Sequence, residues 1–115
     1  MQYMLLIYND PQAQPSTEAE GKAVHGEYIT YTEGIRKRGA MVDGSALALP
    51  TSATTVRVRE GNRVVTDGPF AETKEYLGGY YVIEAASLDH ALDAAATCPG
   101  AKYGSVEIRP LVDMS

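Results

Sequence analysis

The sequence predicts an α+β fold of ferredoxin-like type: an antiparallel sheet with two helices on one face, elaborated by an extra β-hairpin. Three observations lead there. Short strand-like runs open and close the chain, at Tyr3–Tyr8 and Ser105–Leu111. Two segments carry helical periodicity, each behind a capping residue. The elements follow in the order β-α-β-(β-hairpin)-β-α-β, and the 115 residues make a single domain spanning 1–115.

Tyr3–Tyr8 is apolar on both alternating faces: Tyr3, Leu5 and Ile7 on one, Met4, Leu6 and Tyr8 on the other. A strand covered on both sides gives this pattern. Asn9-Asp10-Pro11 ends it, and Pro15-Ser16-Thr17 opens a helix. Thr17 and Glu20 have the spacing of a capping box, in which hydroxyl and carboxylate satisfy orphan N–H groups reciprocally. Val24, Tyr28, Tyr31 and Ile35 form the buried face, with His25, Ile29, Thr32 and Arg36 as a second stripe beside it. The basic run Arg36-Lys37-Arg38 suits the negative end of the helix dipole, and Gly39 is a natural C′ residue. Ala40–Leu49 reads as a strand interrupted by Gly44 and ended by Pro50. Thr54–Glu60 and Arg63–Thr66 read as a hairpin around Gly61-Asn62. After a polar loop, Tyr76–Ala85 is the next strand, where Gly78-Gly79 signals a bulge or a close backbone approach. Ser87 caps the helix Leu88–Thr97, whose inward stripe is read as Leu88, Ala91, Leu92 and Ala95, with Pro99-Gly100 ending it.

Two helices cover one sheet face only, so Met4, Leu6 and Tyr8 leave an apolar face open. Such a face usually meets a partner, and a homodimer through the open sheet face is expected. The net charge of −5 argues against a nucleic-acid backbone as partner. No segment approaches the roughly 20 apolar residues of a membrane span. The N-terminus lacks a basic region and reads as a strand rather than a signal peptide. The single cysteine, Cys98, allows no internal disulfide and reads as a structural thiol at a helix end. Cytoplasmic localisation is the expectation. Neither a zinc-ligand spacing nor a phosphate-binding glycine motif is present, so no cofactor and no metal are expected.

The chemistry concentrates in the loop Asp67-Gly-Pro-Phe-Ala-Glu-Thr-Lys-Glu75 and in the first helix. Asp67 reads either as a turn residue bonding its own backbone or as a carboxylate at a cleft rim acting as general base or orienting a histidine. Phe70 is expected to anchor the loop into the core. Thr73 and Lys74 read as a lip for a small anionic ligand, or as part of a solvated loop. His25, at the edge of the buried helix face, either is exposed or points into a cleft, where an imidazole exchanges protons near neutral pH. With Asp67 it would form an orienter–base pair. Tyr28, one turn on, is read as a core aromatic or as a ligand-binding hydroxyl. His90 is expected at the surface.

Asp67-Gly-Pro-Phe70 with Ala71-Glu-Thr-Lys-Glu75, Gly78-Gly79-Tyr80-Tyr81, Tyr3-Met-Leu-Leu-Ile-Tyr8, Thr54-Thr-Val-Arg-Val-Arg59, Ser105-Val-Glu-Ile-Arg-Pro110 and the helix bearing His25 resemble the DGPF-domain branch of the YCII-related proteins. The resemblance covers nearly the whole chain. It implies a dimeric α/β barrel of ferredoxin-like subunits and a His–Asp pair in a cleft. The histidine matches His25; the aspartate matches Asp67, in the branch's own motif, with Asp43 as the alternative. Two functions of nearly equal weight follow. One is a cofactor-free enzyme doing acid–base chemistry on a small organic molecule. The other is a non-catalytic ligand-binding or regulatory module acting with an extracytoplasmic-function sigma factor, beside which branch members are often encoded. A structural dimer with a vestigial cleft is a third.

Overall fold

The computed structural model describes residues 1–114. Six strands and three α-helices follow in order: β1 (Gln2–Asn9), α1 (Glu18–Lys37), β2 (Met41–Ala46), β3 (Thr54–Arg59), β4 (Asn62–Asp67), β5 (Tyr76–Glu84), α2 (Leu88–Ala96), α3 (Pro99–Tyr103) and β6 (Gly104–Pro110). Four strands form an antiparallel sheet in the order β2-β5-β1-β6. This is the ferredoxin-like arrangement that the element order predicted. No helix among the described residues is long and apolar enough to cross a membrane.

The core lies between the sheet and the helices. Tyr3, Leu5 and Ile7 of β1 meet Tyr81 and Ile83 of β5, with Tyr31 and Ile35 of α1 above them. The expected stripe of α1 is thus half-right: Tyr31 and Ile35 are buried, while Val24 and Tyr28 lie nearer its edge. Tyr31 stacks edge-on against Tyr81 at 5.5 Å and donates its hydroxyl to the Ala94 carbonyl at 2.6 Å, tying α1 to the sheet and to α2.

Several expectations need correction. The α1 cap is half a capping box: Thr17 accepts from Glu20 N, but the Glu20 carboxylate takes the Ser16 N–H at 2.9 Å, one residue further back. The second strand ends at Ala46, and the chain then makes a 3₁₀ turn at Pro50–Ser52. On α2 the buried line is Ala91, Ala95 and then Cys98, while Leu88 and Leu92 are 51% and 49% exposed. The line has rotated because the small alanines give the closest approach to the sheet. Pro99-Gly100 does not simply stop a helix. It starts α3, with proline in the first turn, where its missing N–H costs nothing.

The hairpin turn is Glu60-Gly61, one residue earlier than expected. Both residues have positive φ, 53° and 78°, the geometry of a type I′ turn. The hairpin is not part of the main sheet. β3 and β4 pair only with each other, and every β4 residue is exposed. They form an arm inserted between β2 and β5.

Candidate active site

A cleft of about 460 Å³ lies between α1 and the sheet, where β5 passes between β1 and β2. One wall is the α1 stripe His25, Ile29, Thr32 and Arg36, with Val24 and Tyr28 beside it. The floor is Ser45 and Ala46 of β2, Gly78–Tyr81 of β5 and Ile7 of β1. Part of that floor is small: Ser45, Ala46, Gly78 and Gly79 leave room beneath α1. Gly79 has no side chain to fill it, and a methyl there would lie 3.0 Å from the Ser45 carbonyl oxygen. The β1–β5 register shifts between Ile7 and Tyr8, so Gly78 is an extra residue in β5. The double glycine therefore marks both a bulge and a close approach.

Polar groups stand at both ends of an otherwise apolar cleft. At one end the Thr32 and Tyr81 hydroxyls share a 2.7 Å hydrogen bond, close to Arg36. Among the described residues Arg36 makes no ion pair. At the other end Gln14 Nε2 donates to the carbonyls of Asp10 and Tyr103, at 3.0 and 3.1 Å, closing the loop before α1 against α3. Glu27 accepts from Lys102 at 2.9 Å and from Tyr103, which fastens α1 to α3; the Lys102 bond holds its carboxyl below the usual range. Tyr28 is half-buried beside Cys98. Burial, with the thiol's proximity adding to it, pushes its phenol well above the ordinary value, so its hydroxyl stays protonated. His25 is exposed at the mouth.

Of the residues proposed from sequence, the cleft brings together His25 and Tyr28. Asp67, Phe70, Thr73 and Lys74 do not line it. Asp67 ends β4 opposite Thr54, on the arm. Phe70 is 78% exposed, so it does not anchor the loop into the core. The Thr73 hydroxyl donates to the Glu75 carbonyl, and Lys74 is exposed. Asp43 also lies outside the lining; it accepts from Gly44 N at 2.8 Å and from the Tyr80 hydroxyl at 3.4 Å. Sequence reasoning missed Gln14, Arg36 and Tyr103 as cleft residues. The helical stripe through His25 already contained Arg36; nothing local to Gln14 or Tyr103 signalled their meeting. His90 is exposed, as expected, with Nδ1 2.8 Å from the Ser87 hydroxyl.

The YCII-related domain matches the chain over residues 1–115. The chain belongs to the YCII-related family. An uncharacterised protein of Rhizobium meliloti (strain 1021) is 39% identical over 114 residues, covering 96% of this chain and 92% of that one. Among solved structures, 5-chloro-2-hydroxyhydroquinone dehydrochlorinase from Burkholderia phenoliruptrix AC1100, in complex with 2,5-dihydroxybenzoquinone, superposes with a TM-score of 0.55. The match covers 97% of this chain and 94% of that one at 13% identity, a likeness of fold. The YCII-related chain described here thus shares its architecture with a protein solved with a small cyclic ligand.

Proposed function

We propose that this member of the YCII-related family, in its DGPF branch, is a cofactor-free enzyme that moves a proton on a small organic molecule held in the α1 cleft, with His25 as the group that takes and returns it. The observation that carries this reading is His25 at the mouth of an apolar cleft of about 460 Å³, within the size range of small-molecule sites. Arg36 supplies a cation for an anionic or phenolic oxygen at one end. Tyr28, kept protonated by burial beside Cys98, is a neutral part of the wall rather than a base. Enzymatic chemistry on a hydroxylated ring by a protein of this fold lends support and supplies a first probe.

The test is a thermal-shift screen of hydroxylated and carboxylated single-ring compounds, beginning with 2,5-dihydroxybenzoquinone. A ligand at a hundred times its Kd should stabilise the protein by about 2.7 kcal/mol. Arg36→Ala should weaken that binding at least tenfold. NMR in D₂O then follows exchange of the bound compound's acidic C–H protons. Catalysed exchange in wild type and its loss in His25→Ala is the expected result. Binding that persists in both proteins without exchange would make this a ligand-binding module, and proton transfer would be abandoned.

A further inference from the structure

Two hydroxyls meet inside the cleft, and the bond between them leaves one proton over. Thr32 and Tyr81 both line the cleft, with their oxygens 2.7 Å apart. Each hydroxyl carries one donor proton and accepts besides. The bond between them uses one of the two protons. Among the described residues neither oxygen has a further hydrogen-bond partner, so the second proton is available to a guest. Its direction is fixed by packing. Tyr81 is 9% exposed, and the Tyr31 ring meets it edge-on. Gly44 lies so close that a methyl there would fall 2.8 Å from a Tyr81 ring carbon. Arg36, one turn beyond Thr32, lines the same end of the cleft with a charge that forms no ion pair among the described residues. Burial raises the Tyr81 phenol above its ordinary value, and the Thr32 hydrogen bond and Arg36 pull against that rise. Both favour negative charge at this spot. His25 lies seven residues before Thr32 on α1, two turns away on the same side, about 10.5 Å along the axis. A six-membered ring with polar atoms at opposite ends, hydrogen-bonded at each, bridges a gap of that order.

We propose that Tyr81, supported by Thr32 and Arg36, binds an acidic oxygen of a ring whose opposite end is presented to His25. This rests on the reading of the cleft as a site of proton transfer, and it names which part of the ligand carries the charge. Thr32 donates to the Tyr81 oxygen and Tyr81 donates to the ligand, a chain in which each bond strengthens the next. The Arg36 guanidinium supplies the counter-charge, so an anionic oxygen is preferred over a neutral one. The consequence for the chemistry is one of placement. His25 takes a proton at the near end, forming an N–H bond as the ligand's C–H or O–H bond breaks. The electron pair left behind is conjugated through the ring to the far oxygen, where fixed donors already stand. Returning the proton reverses both movements. Tyr81 is thus a ligand-binding group, and Thr32 is a positioning residue that acts through it. Gly78 and Gly79 form the floor between the two ends, where a flat ring can lie against backbone.

The probe is 4-nitrophenol, whose phenolate is coloured and whose two polar groups lie at opposite ends of one ring. At the pH where the free probe is half ionised, the probe bound to wild type should favour phenolate over phenol about tenfold, read from its visible spectrum. That ratio should fall about fivefold in Tyr81→Phe and about twofold in Thr32→Val. Nitrobenzene, which lacks the acidic oxygen, should bind wild type and Tyr81→Phe alike, an outcome that a merely structural role for Tyr81 does not give. The isomer 2-nitrophenol has nearly equal acidity but adjacent polar groups, and should compete about fivefold more weakly. Wild type that binds 4-nitrophenol no more tightly than nitrobenzene, or a bound ratio unchanged in Tyr81→Phe, would overturn the subsite. Should Tyr81→Phe not fold, Thr32→Val decides: a ratio equal to wild type overturns the chain of hydroxyls. Equal affinity for the two nitrophenols would overturn the two-ended fit. None of these readings needs turnover. Bound phenolate without exchange in D₂O would sink proton transfer by His25 and leave the subsite standing. Catalysed exchange with a ratio indifferent to Tyr81 would do the reverse.

Discussion

Cys98 and Tyr28 sit where α1, α2 and α3 converge, and both are neutral for the same reason. Burial removes water from the thiol and the phenol, which raises both above their ordinary values of 9.0 and 10.0. Tyr31 is raised too, again chiefly by burial. The sign follows from linkage. The unfolded chain loses these protons first, so the stabilisation is fully present below the unfolded values and is lost as pH rises toward the folded ones. The melting temperature should therefore be insensitive to these groups at pH 7 and fall progressively above about pH 9. The fall should be shallower in Cys98→Ala and in Tyr28→Phe, as read by scanning calorimetry across pH 8–11. At this scale sequence reasoning found His25 because helical periodicity is local: one stripe from His25 to Arg36 fixes a whole cleft wall. It misplaced Phe70 because a lone aromatic in a polar loop carries no information about which surface it meets. Asp67 was ambiguous for a related reason. Turn chemistry fixes its backbone, not the direction of the arm that bears it.

At the scale of elements, the strands and helices were legible wherever period and punctuation agreed. Ser87 caps α2 as its position suggested. The misses came from tertiary packing, as at Leu88 and Leu92, which the close approach of the alanines leaves outside. They also came from one-residue register, as in the hairpin turn. That turn yields a prediction. Glu60 holds φ 53° ahead of Gly61, a geometry that asparagine adopts at less cost. Glu60→Asn should stabilise the hairpin by about 0.5 kcal/mol, visible as slower amide exchange in β3 and β4. Gly104 opens β6 beside β1, and a methyl there would run into the Tyr8 carbonyl oxygen. Backbone cannot yield as a side chain can, so Gly104→Ala should cost about 2 kcal/mol or more in urea denaturation.

For the whole molecule, topology was readable because the order of elements leaves few ferredoxin-like alternatives. The arm's separation from the sheet was not, since alternating Val and Thr read alike whether the partner strand belongs to the sheet or to nothing else. The arm enters and leaves through Ala46 and Tyr76, and Leu47 N donates to the Gly78 carbonyl at 2.9 Å. One root, Ala46, is part of the cleft floor, and the other runs within two residues of it, at Gly78. Whatever grips the arm pulls on that floor, and whatever fills the cleft braces the arm. Such a lever must act equally in both directions. If holding the arm tightens ligand binding by some factor, ligand must hold the arm more tightly by the same factor. Amide exchange in β3 and β4, measured with and without a saturating cleft ligand, should then slow within the five- to 150-fold range typical of coupled sites. A small molecule in the cleft would in that way be felt along the arm, beyond any residue it touches.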